Sequence, residues 1–186
     1  GGVAGGVPRH LLMRRCGTVV LLAAGAEVAE KFRPFLPLAA PLGDRASVSR
    51  CARRKGLIAS ATRIATFGEV PAHRLEEYDR LLQVEAVFLE ETKLGSTFGQ
   101  ALTAGVAAYG AQGFDPNEWH HHHQGGSTGY LPRDWPATMV NQTPIAAGNA
   151  IAWNPTALGW KVEGTLLMGA ERLELLTVDS DWPGEN

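Results

Sequence analysis

Residues 56–63 read Gly56-Leu57-Ile58-Ala59-Ser60-Ala61-Thr62-Arg63. The alternation of large and small side chains over residues 56–67 predicts a β-strand, closed by Gly68. Just downstream, Pro71 stands where a helix can begin, and Glu76 and Glu77 follow it. Leu75, Tyr78, Leu82, Ala86 and Leu89 recur at helical spacing, which predicts an apolar stripe on an otherwise charged helix. A second helix is expected over residues 97–109. It is rich in Ala, weakened by Gly99 and Gly105, and capped by Ser96. Upstream, the apolar run 18–24 predicts a strand covered on both faces. Residues 26–31 suit a short helix, residues 35–43 an irregular crossing segment, and residues 1–10 a mobile Gly-rich start.

From Gly110 to Pro144 the chain is dominated by Gly, Pro, Trp and His. Three short strands are expected after it, at 145–153, 160–168 and 172–178. Helices in the middle and antiparallel strands at the end define an α+β fold class. There is no internal repeat and no linker long enough to split the chain. Hydrophobic residues make up 45% and charged residues 19%, an ordinary globular balance. A net charge of −2 gives no general attraction to nucleic acid or to an acidic membrane surface. No apolar run reaches the roughly 18 residues that span a bilayer. Cys16 and Cys51 are too few for a disulfide framework, which fits a reducing, cytoplasmic location.

Four segments occur in a telling order: residues 56–63, the run His120-His121-His122-His123-Gln124-Gly125-Gly126 with its continuation to Tyr130, the turn Ala152-Trp153-Asn154-Pro155, and Gly159-Trp160-Lys161-Val162-Glu163-Gly164-Thr165. This order resembles the creatinase/aminopeptidase P (pita-bread, M24) metallopeptidases. In that family a strand ending in Ser-Asp-x-Thr-Arg is followed by two helices, a His-Gly motif, a Glu-Pro turn and an Arg-x-Glu-Asp-Thr strand. The likeness covers roughly residues 44–183. It points to a divergent Xaa-Pro aminopeptidase-like branch with a His-His-Gln-Gly-Gly motif and an Asn-Pro turn. The fold it implies is a pita-bread α+β domain over residues 44–186, truncated at its N-terminus, with residues 1–43 as a remnant.

What the resemblance implies for chemistry is a pair of divalent ions held by two Asp, two Glu and one His, activating a bridging water. Several ligand positions depart from that set. Ser60 stands at the second Asp, Ser49 or Cys51 near the first, Asn154 at the Glu of the Glu-Pro turn, and Gly164 at the second acid of the last motif. His122, His123 and Glu163 keep ligand types. The metal the resemblance allows is therefore one divalent ion (Mn, Zn or Co) on His123, Glu163 and a further donor such as Asp134 or Cys51.

Two functions follow. The first is a peptidase-like hydrolase acting on a short peptide or small amide. There His123 would be ligand or proton shuttle, Glu163 ligand or base, and Asn154 a neutral ligand or oxyanion donor. The alternative is a catalytically silent pita-bread module that binds a peptide or protein in the former active-site cleft. A homodimer would cover the sheet face that a shortened domain leaves open. Among neighbouring features, His120 and His121 read as solvated. Residues 124–129 read as a tight turn lining a pocket, and Arg50, Arg53, Arg54 and Lys55 as a solvated strand end. Arg63 reads equally as a structural anchor or a substrate contact. The tryptophans and Tyr130 are shared between core and pocket.

Overall fold

A computed structural model describes residues 16–24, 43 and 45–178 of the chain. The readings for residues 1–10, 26–31 and 35–42 lie outside this set. Three antiparallel strands open the fold: β1 (Cys16–Ala24), β2 (Arg45–Arg54) and β3 (Leu57–Thr66), in the order β1-β2-β3. Arg54 pairs with Leu57, so the β2–β3 connection is the two-residue turn Lys55-Gly56. Both residues have positive φ, 52° and 88°, the primed-turn geometry whose twist matches the flanking strands.

Helices α1 (Ala72–Glu91) and α2 (Phe98–Ala111) follow. The fully buried residues of α1 are Leu81, Val84 and Phe88; of the expected stripe, Tyr78 and Leu89 pack against the same core, while Leu75 is 48% exposed and Ala86 is also exposed. Aromatic contacts orient the helix: Phe88 packs on Trp153 with ring centroids 4.9 Å apart and Tyr78 on Trp160 at 5.1 Å. The cap of α2 is Thr97, not Ser96. Its hydroxyl accepts from the Gln100 N–H while the Gln100 side chain accepts from the Thr97 N–H, a reciprocal box. Ser96 instead donates to the carbonyls of Glu91 and Lys93 and closes the interhelical turn. The glycines that weaken α2 allow close approach. A Cβ on Gly105 would strike the Phe88 ring, and one on Gly99 would lie 2.6 Å from the Met139 carbonyl.

After a 3-10 turn (Glu118–His121) come the strands β4 (Gly125–Thr128), β5 (Trp135–Pro136), β6 (Ala150–Trp153), β7 (Thr156–Ala157), β8 (Trp160–Lys161), β9 (Leu166–Met168) and β10 (Leu173–Leu175). Five form a sheet ordered β10-β9-β6-β4-β5, and β7 pairs with β8. The segment read as a turn, residues 124–129, is thus largely a fully buried inner strand. Gly125 and Gly126 resemble turn residues in the sequence because glycine is required inside this strand both for its positive φ, 120° and 145°, and for close approach. A Cβ on Gly125 would collide with the Ala152 carbonyl, and one on Gly126 would lie 2.5 Å from the Trp135 carbonyl. The single strand expected at 160–168 is split into β8 and β9. The intervening residues leave the sheet so that Glu163 bridges to Thr62 of β3.

One core joins both helices to the five-stranded sheet through Leu81, Phe88, Phe98, Leu102, Tyr109, Ile151, Trp153 and Met168. The buried Trp153 satisfies its indole N–H on Thr92 Oγ1 at 2.8 Å, which fixes the end of α1 over β6. Among the described residues no helix is long and apolar enough to cross a membrane.

Candidate functional site

Glu163 is 7% exposed, and its carboxylate is met from three elements. Arg133, on the segment between β4 and β5, places Nη2 2.9 Å from Oε1. Lys161, at the end of β8, places Nζ 3.1 Å from Oε2. Thr62 of β3 donates its hydroxyl to the same Oε2 at 2.6 Å, and Ser49 of β2 stands 2.7 Å from the Thr62 hydroxyl oxygen. Burial by itself would raise the Glu163 pKa. Lys161, Arg133 and the Thr62 hydrogen bond outweigh it and hold the group down at about 2. Glu163 is therefore a fixed anion whose two oxygens are both engaged.

The histidine run divides in two. His120 stacks on Trp119 with centroids 3.8 Å apart, and His121 faces solvent with Nδ1 3.5 Å from Glu118. His122 and His123 stack on each other at 4.4 Å and lie within electrostatic reach of Lys161 and Glu163. Burial, then the cations nearby, hold both at about 4: Lys161 for His122, and Arg133 and Lys161 for His123, with a protonated His123 further opposing a charge on His122. Both imidazoles are neutral at pH 7. His123 keeps more of its surface in water than His122, so solvent screens its interactions more. Gln124 sets the pair in place. Its amide N–H groups donate to the carbonyls of His122 (2.7 Å) and Trp119 (3.1 Å), and its oxygen accepts from the Tyr109 hydroxyl at 2.8 Å. A cavity of about 180 Å³ opens beside them, lined by Leu102, Trp119, His120, His122, His123, Gln124 and Ala137.

Asn154 is 1% exposed. Its backbone N–H donates to the Gln124 carbonyl at 3.0 Å, and its Oδ1 has no hydrogen-bond partner among the described residues. The positions where the resemblance places two Asp ligands carry short neutral groups across one face of the β2–β3 pair. Cys51 Sγ lies 3.4 Å from Ser60 Oγ, alongside the Ser49–Thr62 pair. The Ser60 backbone is bracketed by the Thr165 hydroxyl, which accepts from its N–H at 2.7 Å and donates to its carbonyl at 2.8 Å. Asp134 accepts from the Leu131 N–H at 3.0 Å. Arg63 donates to the carbonyls of Thr62, Glu163 and Thr177, an anchor that ties β3 to the C-terminal segment. The tips Arg53, Arg54 and Lys55 are exposed, and Arg53 donates to the Tyr130 carbonyl at 3.0 Å.

These residues do not fit a divalent ion. A hard cation needs several anionic or carbonyl oxygens, and the one carboxylate at this place is already neutralised by two cations. Among the described residues no three His, Cys, Asp or Glu side chains converge as a metal-holding group. Arg133 and Lys161, the two residues that decide this, were not singled out in the sequence. Lys161 was detectable: it precedes Glu163 by two residues, the spacing that turns two side chains to the same face of an extended segment. Arg133 lies in an irregular segment thirty residues from its partner, and no local pattern marks it.

Against known proteins, no family model and no curated protein matches the chain. Solved structures do. The prolidase from Pyrococcus horikoshii superposes with a TM-score of 0.73 at 17% identity, over 86% of this chain and 47% of that one. The X-Pro aminopeptidase from Thermotoga maritima gives 0.69 at 17%, over 87% and 47%. The N-terminal domain of a FACT complex subunit from Eremothecium gossypii gives 0.67 at 14%, over 88% and 41%. The chain spans about half the length of the solved structures it matches. It has the pita-bread α+β fold of the creatinase/aminopeptidase P class. Its neighbours with this fold include prolidases, dipeptidases and an X-Pro aminopeptidase, and also the N-terminal domain of a FACT complex subunit.

Proposed function

We propose that this chain is a pita-bread module that binds a peptide or protein segment in the cleft beside His122 and His123, without metal-dependent hydrolysis. The observation that carries this reading is the engagement of both Glu163 oxygens by Arg133, Lys161 and Thr62. Two cationic side chains supply at this place the positive charge that metal ions supply in a dinuclear peptidase. A guanidinium or ammonium cannot lower the pKa of a bound water as a divalent ion does. Neutral Ser49, Cys51, Ser60 and Asn154 fit the same reading, because carboxylates there would add anions to a centre that has no metal to balance them. The cavity, with apolar Leu102 and Ala137 facing polar Gln124 and the imidazoles, has the mixed lining of a side-chain pocket.

The test combines composition and turnover on protein purified without a metal column. Elemental analysis is expected to show far less than one equivalent of Mn, Zn or Co, and a pool of short peptides to be retained without cleavage. One equivalent of metal that disappears in Glu163→Gln, with peptide hydrolysis that disappears alongside it, would establish the hydrolase reading instead, with His123, Glu163 and Asn154 in the roles given above.

A further inference from the structure

The cation–carboxylate cluster is unbalanced. Arg133 and Lys161 bring two positive charges to one carboxylate, and all three side chains are about nine-tenths buried or more. Protonation of His122 or His123 would add to the excess, so its sign does not depend on their state. Donor capacity is unspent as well. Arg133 Nε is buried and has no acceptor among the described residues. The Lys161 ammonium carries three donors and faces an Oε2 already shared with Thr62. An excess charge in a water-poor cleft is felt more strongly than the same charge at a surface, and such clefts focus their field on incoming ions.

The exposed strand tip nearby carries the same sign, while Asp134 on the intervening segment turns its carboxylate to the Leu131 N–H at 3.0 Å. The exposed β2–β3 tip with Arg53, Arg54 and Lys55 packs on the segment leading to Arg133. Arg53 holds the Tyr130 carbonyl, and Tyr130 itself, 71% exposed, stands next to Leu131 at 53%. The whole chain nevertheless has a net charge of −2. The positive region is thus local, and a polyanion with charge along its whole length is a poor match. Resting on the peptide-binding reading above, we propose that the cleft receives an acidic side chain of an extended, partly apolar partner segment. Its carboxylate would take the unspent donors of the Lys161 ammonium, beside the Arg133–Glu163 pair, and its apolar neighbours would lie along Tyr130 and Leu131. Guanidinium and ammonium donors suit a carboxylate acceptor by charge and geometry.

The experiment uses the full chain, immobilised, and three pools of short peptides with uncharged residues elsewhere. One is end-blocked and contains Glu, one is end-blocked with Gln in its place, and one carries Gln and a free C-terminal carboxylate. The Glu pool is expected to be retained about tenfold more strongly than the Gln pool. Lys161→Gln, which leaves a balanced Arg133–Glu163 pair, should bring the Glu pool down to the level of the Gln pool. Glu163→Gln should raise its retention, and if that variant fails to fold, Lys161→Gln carries the test alone. Equal retention of the Glu and Gln pools overturns the inference while the peptide-binding reading stands. Preference for the free-carboxylate pool overturns it in favour of a chain terminus, and displacement of the Glu pool by a single-stranded oligonucleotide overturns it in favour of nucleic acid. Retention of no pool at all removes both readings.

Discussion

Arg133 and Glu163 lie thirty residues apart in the chain and meet at 2.9 Å in the interior, where Lys161 and Thr62 close on the same carboxylate. Removing the carboxylate leaves two buried cations facing each other. Glu163→Gln is expected to cost about 3–5 kcal/mol of folding stability, the range for breaking a buried ion pair. Urea unfolding followed by tryptophan fluorescence measures it. Added acetate should restore part of the loss by supplying the missing anion.

Thr62 reaches the Glu163 carboxylate with its hydroxyl, beside a backbone bond from its N–H to the Glu163 carbonyl. Thr62→Val keeps the side chain's shape and strand preference but deletes the donor, so Glu163 loses one of the interactions that hold its pKa at about 2. The expected cost is about 1.5–3 kcal/mol, as for a hydrogen bond to a charged group. The carboxyl carbon shift of Glu163, followed by NMR through acid titration, should move its midpoint upward. An unmoved midpoint would mean that the cations alone set it.

Acid should act on the fold in two steps. His122 and His123 are depressed from 6.5 to about 4, so between those values the unfolded chain binds protons that the native one refuses, and stability falls as pH drops through that window. Glu163 is depressed from 4.5 to about 2. Its stabilisation is fully present above 4.5 and is lost as pH falls toward 2. A His122→Gln, His123→Gln double variant should flatten the upper step and leave the lower one. Thermal unfolding between pH 7 and pH 2 reads both.

Gly126 gives a fourth test, one of packing. Its φ of 145° and the 2.5 Å that would separate a Cβ from the Trp135 carbonyl leave no room in the inner strand. Gly126→Ala should cost about 1–3 kcal/mol or more and loosen β5, which pairs with β4 through Gly126 and Ser127. Near-UV circular dichroism would register this as a weakened Trp135 signal before far-UV signal is lost.

Much of the architecture was legible in local patterns. The alternation at residues 56–67 and the helical spacing beyond Pro71 correspond to β3 and α1, because a two-residue or 3.6-residue period is imposed by backbone geometry itself. The order of the four motifs carried the fold class, which the solved structures share. Other features resisted for definite reasons. The Gly125-Gly126 strand reads as a turn because a glycine kept for close approach looks the same as one kept for backbone freedom. The cap of α2 fell on Thr97 and not Ser96 because both can cap, and Gln100 decides between them.

By itself, then, the sequence determined the strand ending in Arg63, the two central helices, the α+β class and the presence of Ser60 and Asn154 where the resemblance expects acids, all matters of residue identity, short-range spacing and motif order. Only the tertiary structure decided the state of Glu163. Whether a carboxylate is a free ligand or the anion of a closed ion cluster depends on which distant side chains reach it. Here that was settled by the break between β8 and β9, which swings Glu163 onto β3, and by the irregular path that brings Arg133 within hydrogen-bond range.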